Sequence, residues 1–212
     1  ILKDFSDGKL DILLGTQMIA KGLDFPNATL VGIINADLGL HLPDFRAGER
    51  IFQLIYQASG RAGRRLKPGE VVIQTYVPDN PVIKNAAKLD MMKYYNIALS
   101  ERNELKYPPF SWLAKIEITG QNQTSANSLS ERIAKALKGK YKGLDVLGPS
   151  SCYLEKLRNN YRFQIVFKSL KKVDPNGQKL HHFIMNNFRD FQKKYRPGKN
   201  RINIHFDPLS LI

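Results

Sequence analysis

A single cysteine, Cys152, stands in a chain of 212 residues. An internal disulfide is therefore impossible, a thiolate-rich zinc site cannot be built, and a reducing compartment fits best. Acidic residues are also scarce, with 19 Asp and Glu against 33 Lys and Arg, a net charge of +14. An excess of that size points to an acidic polymer or surface as partner. No apolar run approaches the ~20 residues that cross a bilayer. The opening "ILKDFSDGK" lacks the charged-then-apolar order of a secretion signal. The expectation is a soluble, cytoplasmic protein with no membrane partner. No GKT, GKS or DExH-like run occurs, so the phosphate loop and magnesium-holding acidic pair of nucleotide motors are missing. His41, His181, His182 and His205 show no ligand spacing with Cys or carboxylates, so no metal ligands are expected. The sequence starts at Ile1 rather than Met, which suggests a fragment lacking its upstream part.

The charge is unevenly placed. Residues 1–110 hold 14 basic and 12 acidic groups (14 − 12 = +2), whereas 111–212 hold 19 and 7 (19 − 7 = +12). The positive field belongs to the second half. The first half alternates β and α signals. "LDILLG" (10–15), "TLVGIINAD" (29–37) and "GEVVIQTYVP" (69–78) read as buried strands of a parallel sheet. Ile51, Phe52, Ile55 and Ala58 form one face of a helix between the second and third strands. In such sheets ligands lie beyond the carboxyl ends of the strands, where Thr16 and the loop with Lys21, Gly22 and Asp24 would project. Gly22 lets the backbone approach a ligand, and Asp24 can accept from sugar hydroxyls. Arg61 and Arg64, three apart, share a helical face and can grip one polyanion with planar guanidinium forks.

"TQMIAKGLDFP" followed by "QASGRAGR" resembles the fifth and sixth motifs of superfamily-two helicases. More closely, "GTQMIAKGLDFP", "PDFRAGERIFQLIYQASGRAGR", "GEVVIQT" and "YPPF", in that order, resemble the primosomal protein N-prime family, the PriA-type replication-restart DNA helicases. The likeness covers nearly the whole chain, more weakly toward the end. It implies a RecA-like lobe of an ATP-dependent 3′-to-5′ DNA helicase that restarts stalled forks and initiates primosome assembly. Arg64 would be the arginine finger and Arg61 its phosphate-contacting partner. Asp24, Gly22 and Gln57 would serve the nucleotide, with Asp24 at the ribose and Gln57 at the phosphates, and Thr16, Lys21 and Gly22 would meet the DNA backbone. ATP with magnesium would be shared with a missing upstream lobe, and the family's zinc would have no ligands in this chain. The fragment alone would then be inactive. The implied partners are single-stranded and forked DNA, the tail of single-stranded-DNA-binding protein and primosome proteins, in a bacterial, nucleoid-associated setting. Two other readings stay open: a non-catalytic nucleic-acid-binding module, and a lobe of an RNA-remodelling superfamily-two helicase.

Residues 81–106 are expected to be helical, in one or two pieces, until "YPPF" (107–110) breaks them and sets a domain boundary: 1–106, then 107–212. Beyond it the periodicities run strand, helix, strand, strand, helix, strand. Ala114, Ile116 and Ile118 alternate with Lys115 and Glu117, and Ala126, Leu129, Ile133 and Leu137 line a helix stopping at Gly139. "LDVLGP" (144–149), "YRFQIVFK" (161–168), a helix over 179–195 and "INIHFDP" (202–208) complete the order of a ferredoxin-like βαββαβ domain. Phe163 and Phe167 fall at core spacing. Basic residues gather at a hairpin, a loop and a helix end, including Arg158, Arg162, Lys168, Lys171, Lys172, Arg196, Lys199 and Arg201. Arg162, Lys168, Lys171 and Lys172 are the candidates for nucleic-acid contact in this α+β domain.

Overall fold

The structure, a computed structural model, describes residues 1–16, 19, 25, 27–60, 69–137 and 141–212. The chain divides into two compact units, Ile1–Leu42 with Arg46–Leu99, and Pro43–Phe45 with Ser100–Ile212. Residues 100–106, expected in the first half, thus go with the second unit, because the Leu105 and Lys106 carbonyls accept from Lys168 Nζ and Ser111 Oγ at 2.9 and 2.7 Å.

In the first unit, β1 (Leu30–Ile33) and β2 (Glu70–Ile73) pair in parallel, Leu30 opposite Glu70 and Ile33 opposite Ile73. Between them lies an amphipathic helix, labelled α2 (Ala47–Ser59), whose predecessor α1 is the short Leu2–Ser6 turn of helix. The predicted face of α2 is the buried one: Ile51, Phe52, Ile55 and Ala58 all point inward. Helices α3 (Pro81–Ala87) and α4 (Met91–Glu104) supply Ile83, Ala86 and Tyr94 to the same core, and Phe52 stacks on Tyr94 with centroids 4.2 Å apart. Asn80 caps α3 by accepting from Val82 N at 2.9 Å, and Pro81 opens it where a missing N–H costs nothing.

The strand expected over residues 10–15 does not form, and Ile12 and Leu14 are more than four-fifths exposed there. A strand is held by its neighbours, which take its backbone N–H and C=O groups. Among the described residues β1 and β2 bond only to each other. The second strand is also shorter than its apolar run: it ends at Ile33, and Ala36–Gly39 winds into a 3-10 turn after Asn35 takes a left-handed conformation.

The second unit has the element order β3 (Ser111–Gly120), α5 (Gln123–Ala136), β4 (Leu144–Leu157), β5 (Asn160–Leu170), α6 (Gln178–Lys194), β6 (Arg201–Phe206). Its strands form one antiparallel sheet in the order β4-β5-β3-β6. Ala114, Ile116, Ile118, Phe163, Ile165 and Phe167 cover one face and meet Ala126, Leu129 and Ile133 of α5 and Leu180, Ile184, Phe188 and Phe191 of α6. β4 extends past the expected residues 144–149 to Leu157, with register irregularities on the way. Gly139, the expected helix stop, lies outside the described residues; α5 is capped at Leu137.

A buried carboxylate ties the turn before α6 to the sheet. Asp174, fully buried, accepts from the backbone N–H groups of Lys179 and Leu180 at 3.1 and 2.9 Å and from Ser169 Oγ at 3.2 Å. It does the work of an N-cap from outside the helix, since Gly177 at the cap position has no side chain to offer. Gly177 has φ 77°, and a Cβ there would come within 3.2 Å of the Trp112 ring. That ring is fixed in turn by its Nε1–H donating to the Asp174 carbonyl at 2.8 Å. Asp174→Ala leaves two buried donors, Ser169 Oγ and the Leu180 N–H, and the part-buried Lys179 N–H without this acceptor, and is expected to cost about 2 to 4 kcal/mol. Urea denaturation of the chain measures this, with Asp190→Ala, which removes only an exposed pair with Lys193, as a control whose midpoint should move far less.

Candidate nucleotide and nucleic-acid sites

The carboxyl ends of parallel strands are where an α/β sheet receives ligands. Asp37 sits in the turn after β1, buried, and spans to the segment after β2 by accepting from Thr75 Oγ1 at 2.6 Å and from the Tyr76 N–H at 2.9 Å. The Thr75 hydroxyl first, and the Tyr76 N–H second, hold its carboxyl below the ordinary aspartate value. The sequence reading missed Asp37; its signal was an acid directly following an apolar run. It fixes the ends of the two strands together.

Of the residues expected to serve the nucleotide, Gln57 is exposed on the last turn of α2, and the helix ends at Gly60. Arg61, Arg64, Lys21, Gly22 and Asp24 lie outside the described residues. Thr16 is exposed, and its carbonyl accepts from Ile19 N at 3.0 Å.

In the second unit the four expected nucleic-acid contacts have unequal surroundings. Arg162 reaches across to β3 and donates from Nε and Nη2 to both oxygens of Glu117, at 3.3 and 3.0 Å. Lys115 approaches the same carboxylate at 3.3 Å and the Leu211 carbonyl at 3.4 Å. The guanidinium of Arg162 is thereby engaged within the sheet. Burial pushes the Glu117 carboxyl up, but the hydrogen bonds and charge of Arg162, aided by Lys115, outweigh it and leave Glu117 below the ordinary glutamate value. Cys152, buried near this group, has its thiol pushed up, first by burial and then by the Glu117 charge, so it is a poor nucleophile.

Lys168 is held still more closely. Its Nζ lies 3.6 Å from the Tyr107 ring centroid and donates to the Leu105 carbonyl. Tyr107 stacks on Phe45, 5.1 Å between centroids and 8° from parallel, and the Arg102 guanidinium lies 5.3 Å from the Phe45 centroid. Two stacked rings, Phe45 and Tyr107, thus lie between two cations, Arg102 and Lys168, an attraction that strengthens out of water. Burial lowers the affinity of Lys168 for its proton, Asp145 opposes this, and Lys106 adds to it. Lys106 itself pairs with Asp145 at 2.8 Å. Lys171 is half-buried with its ammonium 4.1 Å from the Trp112 ring centroid, and Lys172 is exposed. Phe163 and Phe167 are buried in the helix-side core, so they offer no stacking platform for bases.

Comparison with known proteins adds two family profiles. The profile described as "Primosomal protein N C-terminal domain" matches residues 103–209, and "Helicase conserved C-terminal domain" matches residues 1–65. The chain is 47% identical over 170 residues to the replication restart protein PriA of Bacillus subtilis (strain 168), covering 79% of this chain and 21% of that protein. It is 39% identical over 186 residues to the replication restart protein PriA of Chlamydia pneumoniae, covering 87% and 25%. It is 37% identical over 214 residues to that of Synechocystis sp. (strain ATCC 27184 / PCC 6803 / Kazusa), covering 100% and 24%. The chain spans about a quarter of the length of these relatives.

The Glu117 group carries a pH signature. Its folded-state pKa is depressed, so its stabilisation is complete above the unfolded value of ~4.3 and is lost as pH falls through the lower folded value. Glu117→Gln is expected to cost about 1 to 3 kcal/mol at neutral pH, by leaving Arg162 and Lys115 poorly paired, and to flatten the acid limb of the stability profile. Denaturant midpoints collected from neutral pH down through the carboxylate range check both; an unchanged acid limb would refute the pairing.

Proposed function

Because the chain belongs to the family of replication restart protein PriA, we propose that it is the C-terminal part of an ATP-dependent DNA helicase that restarts stalled replication forks. The observation that carries the reading is the succession, in one chain, of a helicase C-terminal match over 1–65 and a primosomal-protein C-terminal match over 103–209. The first unit is read as part of the second RecA-like lobe. The second is read as a ferredoxin-like domain, supported by two strand–helix–strand crossovers and the sheet order β4-β5-β3-β6.

ATP with magnesium is bound between this lobe and one outside the chain. Gln57 fits the role of a polar contact to it: it is exposed on the last turn of α2, a helix whose opposite face is packed in the core, and Gly60 leads directly into "RAGR". Asp24 and Gly22 serve the nucleotide, and Thr16 and Lys21 contact DNA. Arg64, with Arg61 beside it, neutralises negative charge on the transferring phosphoryl group, an effect of ~10³ to 10⁵ in rate where arginine fingers are measured. Translocation runs 3′ to 5′, and single-stranded-DNA-binding protein and primosome proteins are partners of the whole enzyme. The second unit brings most of the positive charge and holds the DNA.

In the full-length protein, Arg64→Ala is expected to abolish DNA-stimulated ATP hydrolysis while nucleotide binding persists. Turnover near wild type in a coupled phosphate-release assay would remove the finger role. The absence of GKT, GKS and DExH runs favours a second, compatible statement about the isolated chain: it binds single-stranded DNA and hydrolyses no ATP. Measurable hydrolysis by the purified 212-residue chain would contradict the half-site.

A further inference from the structure

The basic residues of the second unit fall at two ends of its sheet, and the two ends differ. At one end, where β5 finishes and α6 begins, most cations are occupied: Lys106 by Asp145, Lys168 by the Leu105 carbonyl and the Tyr107 ring, Lys179 by the Val173 carbonyl at 2.6 Å, Lys171 by the Trp112 ring, while Lys142 and Lys172 stand exposed. At the other end three connections converge: the β3–α5 turn, the β4–β5 hairpin tip and the α6–β6 loop. Register places them together, since Gly120 is opposite Tyr161 and Thr119 opposite both Arg162 and Arg201. Side chains lace them: Gln123 donates to Glu155 at 3.0 Å, and Asn200 donates to Ser125 Oγ at 3.0 Å.

On this end stand Lys156, Arg158, Lys194, Arg196, Lys199 and Arg201, all exposed and none paired with a carboxylate among the described residues, Lys156 alone lying over a ring, that of Tyr161, at 4.9 Å. Between residues 191 and 206 there is no acid at all. Glu155 is the nearest acid on the hairpin, and it is taken by Gln123. The scaffold under these cations is ordered. Arg158 and Asn159 both take left-handed conformations, φ 47° and 62°, giving the hairpin a two-residue turn of the primed kind. The α6–β6 loop is pinned through Asn200, and Tyr195 stacks on Phe191 at 5.1 Å with the Arg132 guanidinium carbon 5.8 Å from its ring centroid. Helix C-termini do attract Lys and Arg through the helix dipole, which accounts for Lys193 and Lys194 but not for Arg158, Lys199 or Arg201 on other elements.

We propose that the hairpin tip and the α6–β6 loop form one phosphate-gripping surface, by which the second unit holds a nucleic-acid backbone without reading its sequence. The chemistry fits that partner. Cations without carboxylate partners on this edge gain from displacing counterions off a polyanion; Phe163 and Phe167 are buried in the core, and stacking of a base on the exposed Tyr195 would carry no sequence preference. This inference rests on the DNA-binding reading above and assigns it to one end of the sheet, away from Lys168, Lys171 and Lys172.

The test is fluorescence anisotropy of the chain with labelled single-stranded and forked DNA over a salt series. Arg158→Gln/Arg196→Gln/Lys199→Gln/Arg201→Gln should lose at least about tenfold in affinity and flatten the slope of log K against log salt by up to about 3. The charge-keeping Arg158→Lys/Arg196→Lys/Arg201→Lys should bind within about threefold of wild type at the same slope, because each cation still neutralises one phosphate. Should the fourfold variant fail to fold, Arg158→Gln and Lys199→Gln tested singly should each lower the slope by about 0.7. Wild-type binding by these variants, or an equal loss in Lys171→Gln/Lys172→Gln, overturns the assignment while leaving DNA binding intact. Tighter binding of poly-glutamate than of DNA at this end also overturns it, in favour of an acidic protein partner. A wild-type chain that binds no DNA removes the underlying reading as well.

Discussion

The period-two alternation of β3 organises the second unit. β3 is bonded on both sides, to β5 and β6, so its side chains must serve two different surroundings. Ala114, Ile116 and Ile118 are fully buried against the helices, a burial worth roughly 1.5 to 3 kcal/mol for each of the larger side chains. The residues between them face the other way, and there Lys115 and Glu117 are largely withdrawn from water. Charges in such a place persist only when partnered. Arg162 from β5, the Glu117 carboxylate between two cations, and the Leu211 carbonyl supply that partnership.

This requirement sorts the cations of the unit into two populations. One is consumed by folding: Lys115, Arg162 and Lys168 each meet a carboxylate, a carbonyl or a ring within the protein. The other remains in solvent, chiefly on the hairpin and the α6–β6 loop, with Lys142 and Lys172 at the opposite end of the sheet. Net charge alone merges the two, and only the second is available to an external polyanion without breaking internal contacts.

Much of the fold was legible in the letters. The order of strands and helices after residue 110, and the buried faces of α2, α5 and β3, follow from periodicities that local physics enforces. Residues 10–15 have the composition of a strand, but pairing is a property of neighbours, and no described strand lies beside them. The reach of β4 to Leu157 was hidden because its register slips break the alternation that would have revealed it. The motif residues Arg61, Arg64 and Asp24 were read through resemblance. Asp37 and Asp174 went unread, since their acceptor roles depend on Thr75, Tyr76, Lys179 and Leu180 being brought to them by the fold. Arg162 and Lys168 were read as charges, while their partners, Glu117 and Tyr107, come from 45 and about 60 residues away in the chain.

The backbone crosses between the two units three times, because Pro43–Phe45 is built into the second while its flanks belong to the first. Asp44 accepts a hydrogen bond from Ser210, and Phe45 is stacked on Tyr107. A polypeptide begun at residue 100 would therefore leave the Ser210 hydroxyl and the Tyr107 ring without the two side chains, Asp44 and Phe45, that meet them here.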